Sequence, residues 1–156
     1  MTTRRYTNDE LDSLRSAPKR VTNPGARWVK KPGHRQRNFQ VTGQDNTARF
    51  AVYQRQSEQD ERDFSCGIAY LPRGGSRLTL ARYNGPSHVH GDIAYRPHIH
   101  RATERAIAAG RRPESEAQAT DLYTTLDGAF RCLILEFKIK GVTAPPPDEA
   151  TLPYDS

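Results

Sequence analysis

Between Arg37 and Tyr83 the chain alternates apolar and polar positions in four separate runs. Phe39 and Val41 share one side of Arg37–Thr42, and Phe50 and Val52 one side of Ala48–Gln54. Phe64, Cys66, Ile68 and Tyr70 do so in Phe64–Leu71, and Leu78 and Leu80 in Arg77–Tyr83. A period of two is the mark of a strand with one buried face. The connectors Gly43-Gln44-Asp45-Asn46 and Pro72-Arg73-Gly74-Gly75-Ser76 carry hairpin-turn residues, so the runs predict an antiparallel meander. Helical spacing frames this block. Thr7 and Glu10 form a capping box before Leu11 and Leu14, and Pro18 closes that helix. Ile99, Ala102, Ala106 and Ile107 predict a second helix with Pro97 in its first turn and Gly110 past its end. Leu126, Phe130, Leu133, Ile134 and Phe137 predict a third over Thr125–Lys138. The order predicts an α+β fold: an antiparallel sheet of about four strands, with an N-terminal helix and two C-terminal helices packed on one face.

A length of 156 residues fits one domain. It is expected over residues 1–141, followed by a disordered, Pro-rich acidic tail over 142–156. The apolar share of 35% is low for a globular chain, and the ends account for the deficit. No run approaches the roughly 20 apolar residues of a membrane span, and Met1–Leu14 lacks the apolar core of a signal peptide. Cys66 and Cys132 sit in apolar runs and are expected as buried, reduced thiols. A cytoplasmic protein without a membrane partner is expected.

Charge changes this picture. The net value is +6, but the last sixteen residues hold three acids and no base, so residues 1–140 carry +9. Ser13–Ser57 contains ten bases and one acid, Asp45. Such segregation is the footprint of a polyanion-binding surface. A basic arm over about 15–37 is therefore expected to hold RNA or another polyanion through Lys30, Lys31, Arg35 and Arg37.

Chemistry concentrates between Tyr83 and Glu104, where His88, His90, His98 and His100 form two His-x-His pairs ten residues apart. Imidazoles there can serve as general base and acid, since histidine titrates near neutrality. They can equally ligate zinc together with Glu104, donate hydrogen bonds to phosphate, or stand as solvated loop residues. Arg82, Arg96 and Arg101 are interleaved with them. RNA cleavage needs a base, an acid and a cation for the phosphorane, and His with Arg supplies all three without a metal.

The string Arg82-Tyr83-Asn84-Gly85-Pro86 with His88 after it, then Pro97-His98-Ile99-His100, resembles the signature of the TumE-type toxins. Those are small ribonuclease toxins paired with a DNA-binding antitoxin. The likeness covers about 20 residues and departs from the family pattern: one Asn84 stands for an Asp-Asn pair, Ser87 parts proline from histidine, and the second histidine doublet is absent. It implies a small sheet with flanking helices and an antitoxin partner.

These readings converge on a toxin-like, metal-independent endoribonuclease with no cofactor. His98 and His100 are the acid/base candidates, His88 supports them, and Arg82 and Arg96 neutralise phosphate. The competing expectation is a non-catalytic basic binding protein for nucleic acid or an acidic partner, such as a phage or defence-system inhibitor.

Overall fold

The computed structural model describes residues 5–87, 89–90 and 93–148. Among them, α1 (Asn8–Ser16) opens the fold, followed by strands β1 (Lys19–Val21), β2 (Val29–Lys31), β3 (His34–Gly43), β4 (Arg49–Ser57), β5 (Phe64–Tyr70) and β6 (Leu78–Asn84). A two-stranded ribbon, β7 (Val89–His90) with β8 (Ile93–Ala94), precedes β9 (His98–Arg101) and α2 (Glu104–Ala108). Strand β10 (Ala117–Ala119), α3 (Leu126–Glu136) and β11 (Ile139–Lys140) complete it.

The four alternating runs form β3 to β6, paired antiparallel in sequence order. The sheet extends well beyond them. Its order is β10-β9-β6-β5-β4-β3-β1-β11, with β2 also on β3, and β1 and β11 are parallel. The expected sheet of about four strands with three helices on one face is thus corrected to a nine-stranded mixed sheet with three short helices. The extra strands are two to four residues long, too short to show a period of two.

The largest misreading concerns residues 98–101, expected in a helix and found as β9 between β6 and β10. Four apolar positions at helical spacing also fit a strand followed by one helical turn. Ile99 faces the core at 3% exposure, and β9 has backbone partners on both edges. Only Glu104–Ala108 is helical, capped by the Thr103 hydroxyl. Gly110 does end that turn, at φ +75°.

Helix α3 lies on the apolar face. Its Ala129, Phe130, Leu133 and Ile134 are buried with Phe39, Val52, Cys66, Ile68 and Tyr83 of the sheet, and Phe130 stacks on Phe39 with centroids 5.8 Å apart. Both cysteines are free, and burial pushes the Cys66 thiol well up. The capping box is present at α1: the Thr7 hydroxyl accepts from the Glu10 amide while the Glu10 carboxylate accepts from the Thr7 amide. The first residues of the expected tail are ordered against α3. The Asp148 carboxylate, 8% exposed, accepts from the amides of Thr124 and Thr125, and Arg131 donates to the Pro145 carbonyl. Residues 149–156 lie outside the described residues. No helix among the described residues is long and apolar enough to cross a membrane.

Candidate functional site

The face opposite α3 carries polar side chains arranged by strand register. Paired residues on neighbouring strands project to the same side. One row therefore runs Gln36, Arg55, Ser65, Asn84, His98 across β3, β4, β5, β6 and β9. The adjacent row runs Asn38, Tyr53, Gly67, Arg82, His100. Gly67 is required there: a Cβ would meet the Ala81 carbonyl and the Tyr53 ring, each at 2.8 Å. Its absence lets the Tyr53 ring lie over the strand, with its hydroxyl 2.6 Å from Ser65 Oγ. Burial raises the Tyr53 phenol above its usual range, outweighing the Ser65 hydrogen bond.

His98 and His100 meet edge to face, with ring centroids 5.2 Å apart. His98 Nδ1 donates to the Arg96 carbonyl at 3.2 Å, so its Nε2 can accept from Asn84 Nδ2 at 3.3 Å. His100 Nδ1 donates to the Glu114 carbonyl at 2.9 Å. Backbone carbonyls thereby keep a proton on Nδ1 of each ring, so that the lone pair of the neutral form falls on Nε2. Both rings are 2% exposed. Arg82 Nε lies 3.3 Å from Glu114 Oε2, close enough for an ion pair but too oblique for a hydrogen bond.

Beside this cluster a pocket of about 490 Å³ spans the sheet from β6 to β3. Arg82 and Asn84 line one end, Tyr53, Arg55 and Ser65 the middle, and His34 and Ser57 the other. Three strand spacings separate β3 from β6, about 14 Å. The pocket is a trough across these strands, and its charged lining is Arg55, Arg82 and the acid Asp63.

The other expected site residues are placed differently. Arg96 precedes β9, and its guanidinium pairs with Asp121 on the surface at 3.0 Å. His88 lies outside the described residues. The four cations of the basic arm divide between the two faces. Lys31 pairs with His34 in register and shares the trough side. Lys30, Arg35 and Arg37 project to the side of α3, where Arg35 and Arg37 lie 4.2 and 4.9 Å from the Trp28 ring centre. Arg37 also donates to Gln54 Oε1 at 2.6 and 2.8 Å. Burial lowers its pKa, with Asp127 opposing.

Arg55, Ser65, Asn84, Glu114 and His34 were not among the expected site residues, although Asn84 stands in the string that carries the resemblance. The first three were legible in principle, because the alternation that places Val52, Cys66 and Tyr83 inward turns their neighbours outward. Glu114 gave no such signal, for it lies in the link before β10. Among the described residues no three His, Cys, Asp or Glu side chains converge as metal ligands. Comparison of the chain with protein-family models, curated proteins and solved structures finds no match.

Proposed function

We propose that the polar sheet face binds single-stranded RNA and cleaves its backbone. The observation that carries this reading is the trough itself: cationic Arg55 and Arg82 line one depression whose end wall, Asn84, is hydrogen-bonded to His98, whose ring meets that of His100. In the proposed reaction Arg82 holds the scissile phosphate. The substrate displaces the Asn84 amide, and His98 Nε2 takes the proton of the 2′-hydroxyl. The 2′-oxygen bonds to phosphorus and the bond to the 5′-oxygen breaks. His100, protonated, gives its proton to that leaving oxygen, and the products are a 2′,3′-cyclic phosphate and a 5′-hydroxyl. Arg55 and Lys31 hold the flanking backbone, while His34 lies at the far end, too distant to share the proton transfers.

Incubating the purified chain with RNA tests this. Cleavage is expected to fall by about two to four orders of magnitude in His98→Ala or His100→Ala, the worth of one positioned proton-transfer group. Affinity for an uncleavable 2′-deoxy oligonucleotide should hold, since arginine and lysine carry the phosphate contacts. The rate should follow a bell in pH and be indifferent to EDTA. Intact RNA after long incubation with the unsubstituted protein would overturn the enzyme.

One observation favours a second reading. The rings of His98 and His100 are 2% exposed and tied to carbonyls, which suits a structural pair beneath a binding surface. A non-catalytic RNA-binding protein predicts the same oligonucleotide affinity with no cleavage. An antitoxin partner, implied by the resemblance to TumE-type toxins, belongs to the first reading.

A further inference from the structure

Beyond Tyr53 the polar face holds a second depression of about 260 Å³, lined by Gln36, Asn38, Tyr53 and Arg77. Tyr53 is common to it and to the trough, so the two are neighbours on one surface. The Tyr53 ring is held between them by its lie over Gly67 and its bond to Ser65. Gln36 Nε2 donates to Asn38 Oδ1 at 2.9 Å. That bond fixes two amides edge to edge. It leaves Gln36 Oε1 as an acceptor and Asn38 Nδ2 as a donor, neither hydrogen-bonded to another described residue. Exchanging O and N in both amides leaves one acceptor and one donor but reverses their order. A fixed aromatic ring beside a donor–acceptor pair is what an unpaired base requires: a surface to stack on and partners for its edge. Adenine and cytosine each present an amino group beside a ring-nitrogen acceptor, the complement of an amide's oxygen and N–H. Guanine and uracil present a carbonyl beside an N–H on the pairing edge, which meets the same pair with donor and acceptor in the reverse order. Arg77 supplies a cation at the rim.

We propose that this depression is a base-reading subsite, in which Tyr53 stacks on a nucleobase flanking the trough and Gln36 with Asn38 separates the amino bases, adenine and cytosine, from the carbonyl bases, guanine and uracil. The proposal rests on the reading of the trough as an RNA site. It makes the protein selective for unpaired segments, because the edge that Gln36 and Asn38 address is occupied in a duplex.

The test uses single-stranded RNA oligonucleotides carrying one scissile step with each of the four bases on either side, and their uncleavable 2′-deoxy counterparts. The unsubstituted chain should favour one class, adenine and cytosine or guanine and uracil, at one flanking position by about tenfold in cleavage and in binding. The double variant Gln36→Ala/Asn38→Ala should lose the preference, with the favoured sequences falling to the level of the others. Asn38→Asp keeps the shape and replaces a donor with an acceptor, so it should move the preference toward guanine, whose N1–H and amino group both donate. Melting curves establish that both variants are folded; if the double variant is not, Asn38→Asp decides. Equal treatment of all four bases by the unsubstituted chain would overturn the subsite, as would a preference that survives in Asn38→Asp. Base-selective binding without cleavage sinks the nuclease and leaves the subsite standing. Cleavage without base preference does the reverse.

Discussion

At the scale of single residues, two buried charges shape stability at opposite ends of the pH scale. Asp148 closes the N-terminus of α3, where the unpaired amides of Thr124 and Thr125 point at its carboxylate. Burial by itself would raise its pKa, but the hydrogen bonds from Thr125 and Thr124 outweigh it and hold the group below the usual range. A depressed carboxylate stabilises the fold above its unfolded pKa, and that contribution is lost as pH falls through the folded value. Asp148→Asn should therefore lower the melting temperature at neutral pH, by an amount equivalent to about 1–2 kcal/mol for a missing cap. The gap between variant and parent should close in acid. Gly128 belongs to the same contact, because a Cβ there would lie 2.3 Å from Asp148 Oδ2. Lys19 acts at the alkaline end. It is 2% exposed, donates to the carbonyls of Arg15, Ala17 and Phe137, and burial lowers its pKa to about 8. The unfolded chain then binds more protons between about pH 8 and the ordinary lysine value of 10.5, so stability contributed through Lys19 rises with pH across that window. Denaturant titrations of the parent and Lys19→Met at pH 8 and 10 should show the parent gaining more. Equal pH slopes would show that Lys19 stays charged throughout.

At the scale of elements, the sheet centre depends on Gly67. Gly67→Ala should drive Tyr53 off its place over β5, since both neighbours stand 2.8 Å from the added carbon. The expected cost is about 1–3 kcal/mol, the range for overpacking a filled site, together with weaker oligonucleotide binding. Unchanged stability and affinity would mean that the ring yields freely. The long strands were legible because each has enough residues to repeat its alternation. The capping box at Thr7 and the stripe of α3 were legible for the same reason: several independent positions agree. His98-Ile99-His100 offered only three residues, and Pro97 with Gly110 framed them as a helix. Pairing with β6 and β10 decided the matter, and that is a property of distant segments. The same non-local pairing brings Arg82 into register with His100 and Asn84 with His98. The sequence singled out His98, His100 and Arg82, and Arg82 lines the trough, whereas the rest of its wall comes largely from β3, β4 and β5, where no catalytic motif was read.

At the scale of the whole molecule, the basic surplus is spread over two faces, and only one of them holds the trough. Binding of a single strand on the polar face should weaken with salt as counterions return. Replacing Lys31, Arg55 and Arg77 with alanine should flatten the slope of log affinity against log salt by about 2, near 0.7 for each phosphate left without its cation. Replacing Lys30 and Arg35, on the side of Trp28, should leave that slope nearly unchanged. The reverse outcome would move the nucleic-acid surface to the face of α3.

The parallel pair of β1 with β11 has a bearing on how the protein is made. Lys19 is matched to Ile139 and its ammonium to the Phe137 carbonyl, so the early part of the chain waits for a late one. Most of the sheet's apolar face is covered by α3, which also comes late. A ribosome extends the chain at about 5–20 residues each second, so β1 through β9 emerge several seconds before α3, β11 and Asp148. Over that interval the apolar face stays open and strands three to ten residues long offer unpaired edges, the state in which nascent chains associate wrongly or are held by chaperones. Slower synthesis of residues 101–148 would lengthen that exposure.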